Sequence, residues 1–164
     1  MSDDERWLRQ AIRLADESVR DGDYSFGCVI VRANGEVLAE GRQTVARSGD
    51  WLAHAEMNAL KAVSARMGRA NIADATLYTS TEPCPMCTGA IGWSVNRLVY
   101  GLSQAEMYRR FVVPGETPRF VEPWNCRKLL EHVHPPMEIV GPLLEDEAAR
   151  EHALWMTMHG HAGA

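Results

Sequence analysis

The sequence predicts an α/β fold, a mixed sheet with helices packed on its faces. Three observations predict it. Segments with apolar residues at helical spacing alternate with short apolar runs of strand length. Asn34-Gly35 is a strong hairpin signal joining two of those runs. The resulting order, αββαβαβα(β)α, is that of a mixed sheet covered by helices. A length of 164 residues and 18.3 kDa suits one domain, expected over 1–164, and 46% hydrophobic with 24% charged residues excludes collagen-like and disordered chains. A chain of this size buries roughly two-thirds of its unfolded surface, so its core needs no disulfide staples.

Each element follows from local pattern. Residues 4–19 place Trp7, Leu8, Ala11, Ile12, Ala15, Ser18 and Val19 on one helical face, and Gly22 breaks that helix. FGCVIVR, from Phe26 to Arg32, reads as a buried strand, with EVLAEGRQT returning after the Asn-Gly turn. HAEMNALKAVSAR, residues 54–66, is helical in composition, and ATLYTS, Ala75–Ser80, is a strand. Pro83 and Pro85 precede a short helix from Met86 to Val95, since Pro suits a first turn. Arg97–Gly101 is strand-like, and Ser103 is positioned to cap a helix through Arg109. Residues 111–136 are Pro-rich and irregular, Met137–Val140 reads as a last strand, and a closing helix runs from Glu145 to about His159.

Seventeen basic residues against 22 acidic give a net charge of −5, which disfavours broad phosphate binding. A local basic patch of Arg109, Arg110, Arg119, Arg127 and Lys128 is diluted by Glu116 and Glu122 and reads as a solvated surface. No apolar run approaches the roughly 20 residues that span a bilayer. MSDDERWLRQ opens with acids, unlike a secretory leader. The expectation is a soluble cytoplasmic protein with no membrane partner. Of four cysteines, Cys28 sits in an apolar run and reads as core, whereas Cys84 and Cys87 form a Cys-x-x-Cys that points to metal or redox work.

His54-Ala55-Glu56 opens one predicted helix, and Glu82-Pro83-Cys84-Pro85-Met86-Cys87 leads into another. Two thiolates and one imidazole suit Zn2+, and three protein ligands leave a fourth tetrahedral position to water. Helix starts favour thiolates through free N–H groups and the positive dipole end, so the cation is expected between the starts of both helices. Glu56, about 200° round the helix from His54, does not share its ligand face and is placed to carry protons as general acid and base. A dithiol redox role would leave His54 and Glu56 unexplained. Cys126 has no paired-ligand spacing to close the site as a fourth ligand. Each motif is weak alone; the pairing of H-x-E with P-C-x-x-C is the signature of zinc nucleobase deaminases.

HAE at 54–56 and TSTEPCPMCTGAIGW at 79–93 resemble the cytidine-deaminase-like zinc deaminases, in the branch of guanine deaminases and tRNA adenosine deaminases. The resemblance runs from about Asp3 through Gly101 and fades beyond. It implies a three-layer α/β/α sandwich around a mixed five-stranded sheet, assembled as a homodimer. It implies Zn2+ on His54, Cys84 and Cys87, with Glu56 shuttling the proton as ammonia leaves an amino-bearing ring carbon. The Glu82 carbonyl and the backbone near Cys84 would hold the leaving group or water.

For the substrate, TS-x-EPCPMC-x-GAI-W and Ser25-Phe26-Gly27 are more similar to guanine deaminases than to tRNA adenosine deaminases, while MCTGAI is shared with yeast-type cytosine deaminases. Eleven residues before His54 these enzymes usually carry an Asn that binds the base; Gln43 stands here, its amide about 1.5 Å further out. Trp51-Leu52 replaces a usual Pro-Thr. The closing segment holds Glu145, Asp146, Glu147 and Glu151 against Arg150, which disfavours tRNA. The expected partner is a small aminated heterocycle. Alternatives are tRNA adenosine, a cytosine-type base, or a non-catalytic binding module with a closed zinc site.

Candidate substrate contacts are Gln43, Phe26 and Ala55, with Trp51, Trp93, Trp124 and Tyr108 able to stack on a ring. Trp93 suits a core or dimer contact equally, Trp124 a lid or a loop pin, and Trp155 plain packing. His132 and His134 read as exposed loop residues, and His159 and His161 as solvated.

Overall fold

The structure, a computed structural model, describes residues 1–68, 72–111 and 125–159. Its elements in chain order are α1 (Asp3–Arg20), β1 (Gly27–Arg32), β2 (Val37–Arg42), α2 (Val45–Ser48), α3 (Ala55–Met67), β3 (Ala75–Thr81), α4 (Pro85–Gly92), β4 (Arg97–Leu102), α5 (Gln104–Phe111), α6 (Cys126–Leu130), β5 (Glu138–Val140) and α7 (Glu145–Met158). The strands form one five-stranded sheet in the order β2-β1-β3-β4-β5. β1 pairs antiparallel with β2 and β3, and β3, β4 and β5 run parallel.

Side-chain alternation along the strands produces two cores. Cys28, Ile30, Leu77, Leu98 and Tyr100 meet Ala55, Ala59, Val63, Cys87 and Ile91 from α3 and α4. Val29, Val31, Tyr78 and Val99 meet Leu8, Ala11 and Ile12 of α1 and Ala148 and Ala149 of α7. The chain is therefore the three-layer α/β/α sandwich that the motifs imply. Each fully buried large aliphatic side chain contributes about 1.5–3 kcal/mol relative to exposure. Cys28 is fully buried and its thiol is pushed well up by burial, as a core residue's should be.

Local chemistry sets the boundaries. Ser2 caps α1 reciprocally with Glu5, each side chain taking the other's backbone N–H. β2 ends at Arg42, short of the expected Thr44, because Asn58 of α3 donates to the Arg42 carbonyl at 2.8 Å and Gln43 N–H turns to Phe26 O at 3.1 Å. The released chain coils into the short α2, which has no periodic signal. α4 stops at Gly92 rather than Val95 because the Ser94 hydroxyl takes the carbonyls of Ala90 and Ile91, both at 3.0 Å. α6 falls within the stretch expected to be irregular; Asn125 caps it, accepting from Lys128 N–H at 2.9 Å. Among the described residues no helix is long and apolar enough to cross a membrane.

Candidate active site

Two helix starts bring the predicted ligands together. His54 is the N-cap of α3, extended in backbone, and its ring does not cap the helix. Cys84 is the N-cap of α4, and Pro85 and Met86 separate it from Cys87 in the first turn. His54 Nδ1 lies 3.6 Å from Cys84 Sγ and 3.6 Å from Cys87 Sγ. A tetrahedral zinc with Zn–N near 2.0 Å and Zn–S near 2.3 Å requires nitrogen–sulfur separations of about 3.6 Å. The three donors, all within 4.8 Å of one another, therefore match a single cation in both chemistry and spacing.

Electrostatics agree. The Cys84 thiol is held down to about 4, chiefly by its hydrogen bond from Cys87 and next by His54. Cys87 is pushed up as the other half of that pair. The protein alone thus favours one thiolate, and a divalent cation is what deprotonates both. His54 is raised, first by its hydrogen bond with Cys84. Cys126 is buried elsewhere and does not join the donor set among the described residues.

Glu56, in the first turn of α3, is buried, and burial raises its carboxyl above the ordinary range. Its Oε1 accepts a hydrogen bond from Thr79 Oγ1 of β3 at 3.1 Å. A buried carboxyl that protonates readily beside a three-ligand corner has the properties of a proton carrier. Thr79 stands in the quoted TSTEPC motif, yet only the sheet register shows that it meets Glu56.

A pocket opens over these groups, lined by Phe26, His54, Glu56, Glu82, Cys84, Pro85, Gln104, Met107 and Tyr108. Phe26 and Tyr108 thus line the pocket, and Ala55 is buried between His54 and Glu56. Gln43 is buried beside this wall through its backbone bond to Phe26. Of the candidate tryptophans, the two within the described residues, Trp51 and Trp93, are not brought in. Trp51 is 76% exposed and Trp93 is 93% exposed. Trp93 lines a separate cleft with Leu129, Leu130, His132 and Val133, because it caps the far end of α4. Trp124, Arg119, Glu116, Glu122 and His161 lie outside the described residues.

Other roles emerge only in three dimensions. The Glu82 carboxylate accepts from Gln104 N–H at 3.0 Å and Cys126 N–H at 2.9 Å, and Gln104 Nε2 donates to the Glu82 carbonyl at 2.7 Å. That carbonyl, expected to face the leaving group or water, is thus engaged in fixing α5 over the pocket. Within the basic patch, Arg109 and Arg110 both bond Glu106, and Arg110 also bonds Asp146. Arg127 donates to the carbonyls of Ile139 and Gly141. The acids of α7 are likewise used internally, Glu145 by Ser103 and Glu147 by Arg9.

Comparison with known proteins agrees with this geometry. Residues 1–102 match the family model for the cytidine and deoxycytidylate deaminase zinc-binding region. A probable cytosine deaminase of Schizosaccharomyces pombe is 38% identical over 147 residues, covering 89% of this chain and 88% of that one. A guanine deaminase of Bacillus subtilis is 36% identical over 143 residues, covering 80% and 90%. The solved guanine deaminase of Nitrosomonas europaea superposes with a TM-score of 0.79 at 22% identity, over 96% of this chain and 86% of that one.

Proposed function

The chain belongs to the cytidine and deoxycytidylate deaminase family, zinc-type deaminases, and from that premise we propose that residues 1–164 act as one domain that deaminates a free amino-bearing base, guanine-like in kind. The observation that carries this reading is the meeting of His54, Cys84 and Cys87 beneath a narrow pocket with buried Glu56 on its floor. Zinc held by those three residues would supply hydroxide near neutral pH. Glu56 would carry two protons in turn: the first, from the attacking water to a ring nitrogen, and the second, from the hydroxyl newly bonded to the ring carbon to the amine, which leaves as ammonia. Phe26 and Tyr108 flank the ring, and Gln43 is the amide closest in sequence position to a base-reading role. Burial keeps bulk water from competing for the carboxyl.

A cytosine-type base is the second reading, favoured by the 38% identical relative. Ammonia release from a panel of aminopurines and aminopyrimidines distinguishes the two. The decisive variant is Glu56→Ala: it should retain one zinc per chain and the wild-type melting profile while losing turnover by about 100-fold or more. Undiminished turnover would reject the assignment.

Internal pairing of Arg109, Arg110 and the α7 acids supports a small-molecule partner over tRNA. A reducing, cytoplasmic setting, where thiols stay unpaired by disulfides, suits a zinc site built on Cys84 and Cys87. The family resemblance and exposed Trp93 support a homodimer joined on the α4–α6 face. Sedimentation checks it: Trp93→Glu should convert a dimeric wild type to monomer, and a wild type already monomeric would refute it.

A further inference from the structure

The mechanism above uses nothing from α7, yet one α7 side chain reaches the pocket wall. His152 is buried at 8% exposure, and its Nε2 shares a 2.9 Å hydrogen bond with Thr81 Oγ1 at the end of β3. Its ring meets Phe26 edge-on, with centroids 5.0 Å apart and an interplanar angle of 76°. On another side it stacks on Phe111, at 5.5 Å and 27°. Phe26 lines the pocket, Phe111 ends the helix whose Gln104, Met107 and Tyr108 also line it, and Thr81 precedes Glu82 and Cys84.

We propose that His152 is a positioning residue for the substrate: its ring, wedged between Phe26 and Phe111 and tied to Thr81, sets the separation of Phe26 and α5 and so the width of the slot. The physical basis is that a binding wall keeps its shape only when its rotamers are locked by packing behind it. Aromatic contacts at these distances and angles are favourable, and a neutral imidazole supplies both the faces for packing and the nitrogen for Thr81. Burial favours that neutral form, holding the ring down to about 4. Removing the ring leaves Phe26 free to collapse inward and α5 free to tilt. The substrate would then meet misplaced walls, while Glu56 and the metal ligands, on α3 and α4, stay where they are.

This inference rests on the deaminase reading, and its test separates the two. Wild type is scored first on the base panel; absence of ammonia release from every base would overturn the reading and this proposal with it. Given an active wild type, His152→Ala should raise KM about tenfold or more on the best substrate, with kcat within about threefold and zinc content unchanged. His152→Phe, which restores a ring, should recover much of the KM, and it also keeps the test alive where the Ala variant fails to fold. Independently of turnover, the Phe26 ring resonances of the zinc protein should shift in His152→Ala and return toward wild type in His152→Phe. A purely structural role would lower the melting temperature and the active fraction but leave KM alone. Unchanged KM and unchanged Phe26 resonances in a folded variant would overturn the proposal.

Discussion

Thr79 ties the Glu56 side chain to the sheet. The Glu56 carboxyl is raised chiefly by burial; its own backbone N–H opposes that most, and the Thr79 hydroxyl at 3.1 Å adds to the opposition and fixes the carboxyl against β3. Valine has the shape of threonine without the donor, so Thr79→Val removes one hydrogen bond from a buried carboxylate, at about 1–3 kcal/mol. The expected result is a kcat lower by about tenfold, with KM and zinc content near wild type, and recovery in Thr79→Ser. Steady-state kinetics with metal analysis checks it. A kcat in Thr79→Val equal to wild type would show that Glu56 is oriented by something else.

Among the elements, α3 carries both one metal ligand at its N-cap and Glu56 in its first turn, and its position depends on β2. A Cβ added at Gly41 would lie 2.1 Å from the carbonyl of Ala55, a contact that only movement of backbone can relieve. The first turn of α3 lies directly behind the ligand His54, so Gly41→Ala should displace the imidazole from the two sulfurs. Zinc affinity should fall by about 10-fold or more, the scale seen when ligand orientation is disturbed. Competition with a chelator checks this, and wild-type zinc retention in a folded variant would refute it. The elements that bear the chemistry were legible because their signals are local: Asn34-Gly35 fixes a hairpin, and His-x-Glu and Pro-Cys-x-x-Cys mark two helix starts. α2 and α6 were not legible, being four and five residues long and too short for any period to show. Nor were Thr79, Gln104 and His152 as site residues. Each meets its partner across 22 to 71 positions of sequence, through sheet register and helix docking that no local pattern encodes.

Across the whole molecule, the last helix binds the two ends of the chain to the sheet. Arg9 of α1 pairs bidentately with Glu147 of α7, Asp146 pairs with Arg110, and Glu145 caps Ser103. Docked in this way, α7 buries His152, and one buried imidazole makes global stability depend on acidity. The ring's ordinary value is 6.5, and burial holds it down to about 4 in the folded protein. As pH falls through 6.5 the unfolded chain takes up a proton that the folded ring refuses, so acid favours unfolding throughout that window. Stability is complete above 6.5, declines between 6.5 and 4, and levels off below, by about 3 kcal/mol for this group. Its contacts Thr81, Phe26 and Phe111 carry no charge that would offset the effect. The carboxyl of Asp4, held below 3.8 first by its hydrogen bond with Arg97, loses its contribution only at lower pH still. Denaturant melts of wild type and His152→Phe at pH 7.5 and 4.5 isolate the imidazole, because metal and carboxylate effects are common to both. The stability difference should move by about 2–3 kcal/mol in favour of the variant at the lower pH. A difference that stays constant between the two would mean that the ring is open to water and that α7 is not seated as the structure places it.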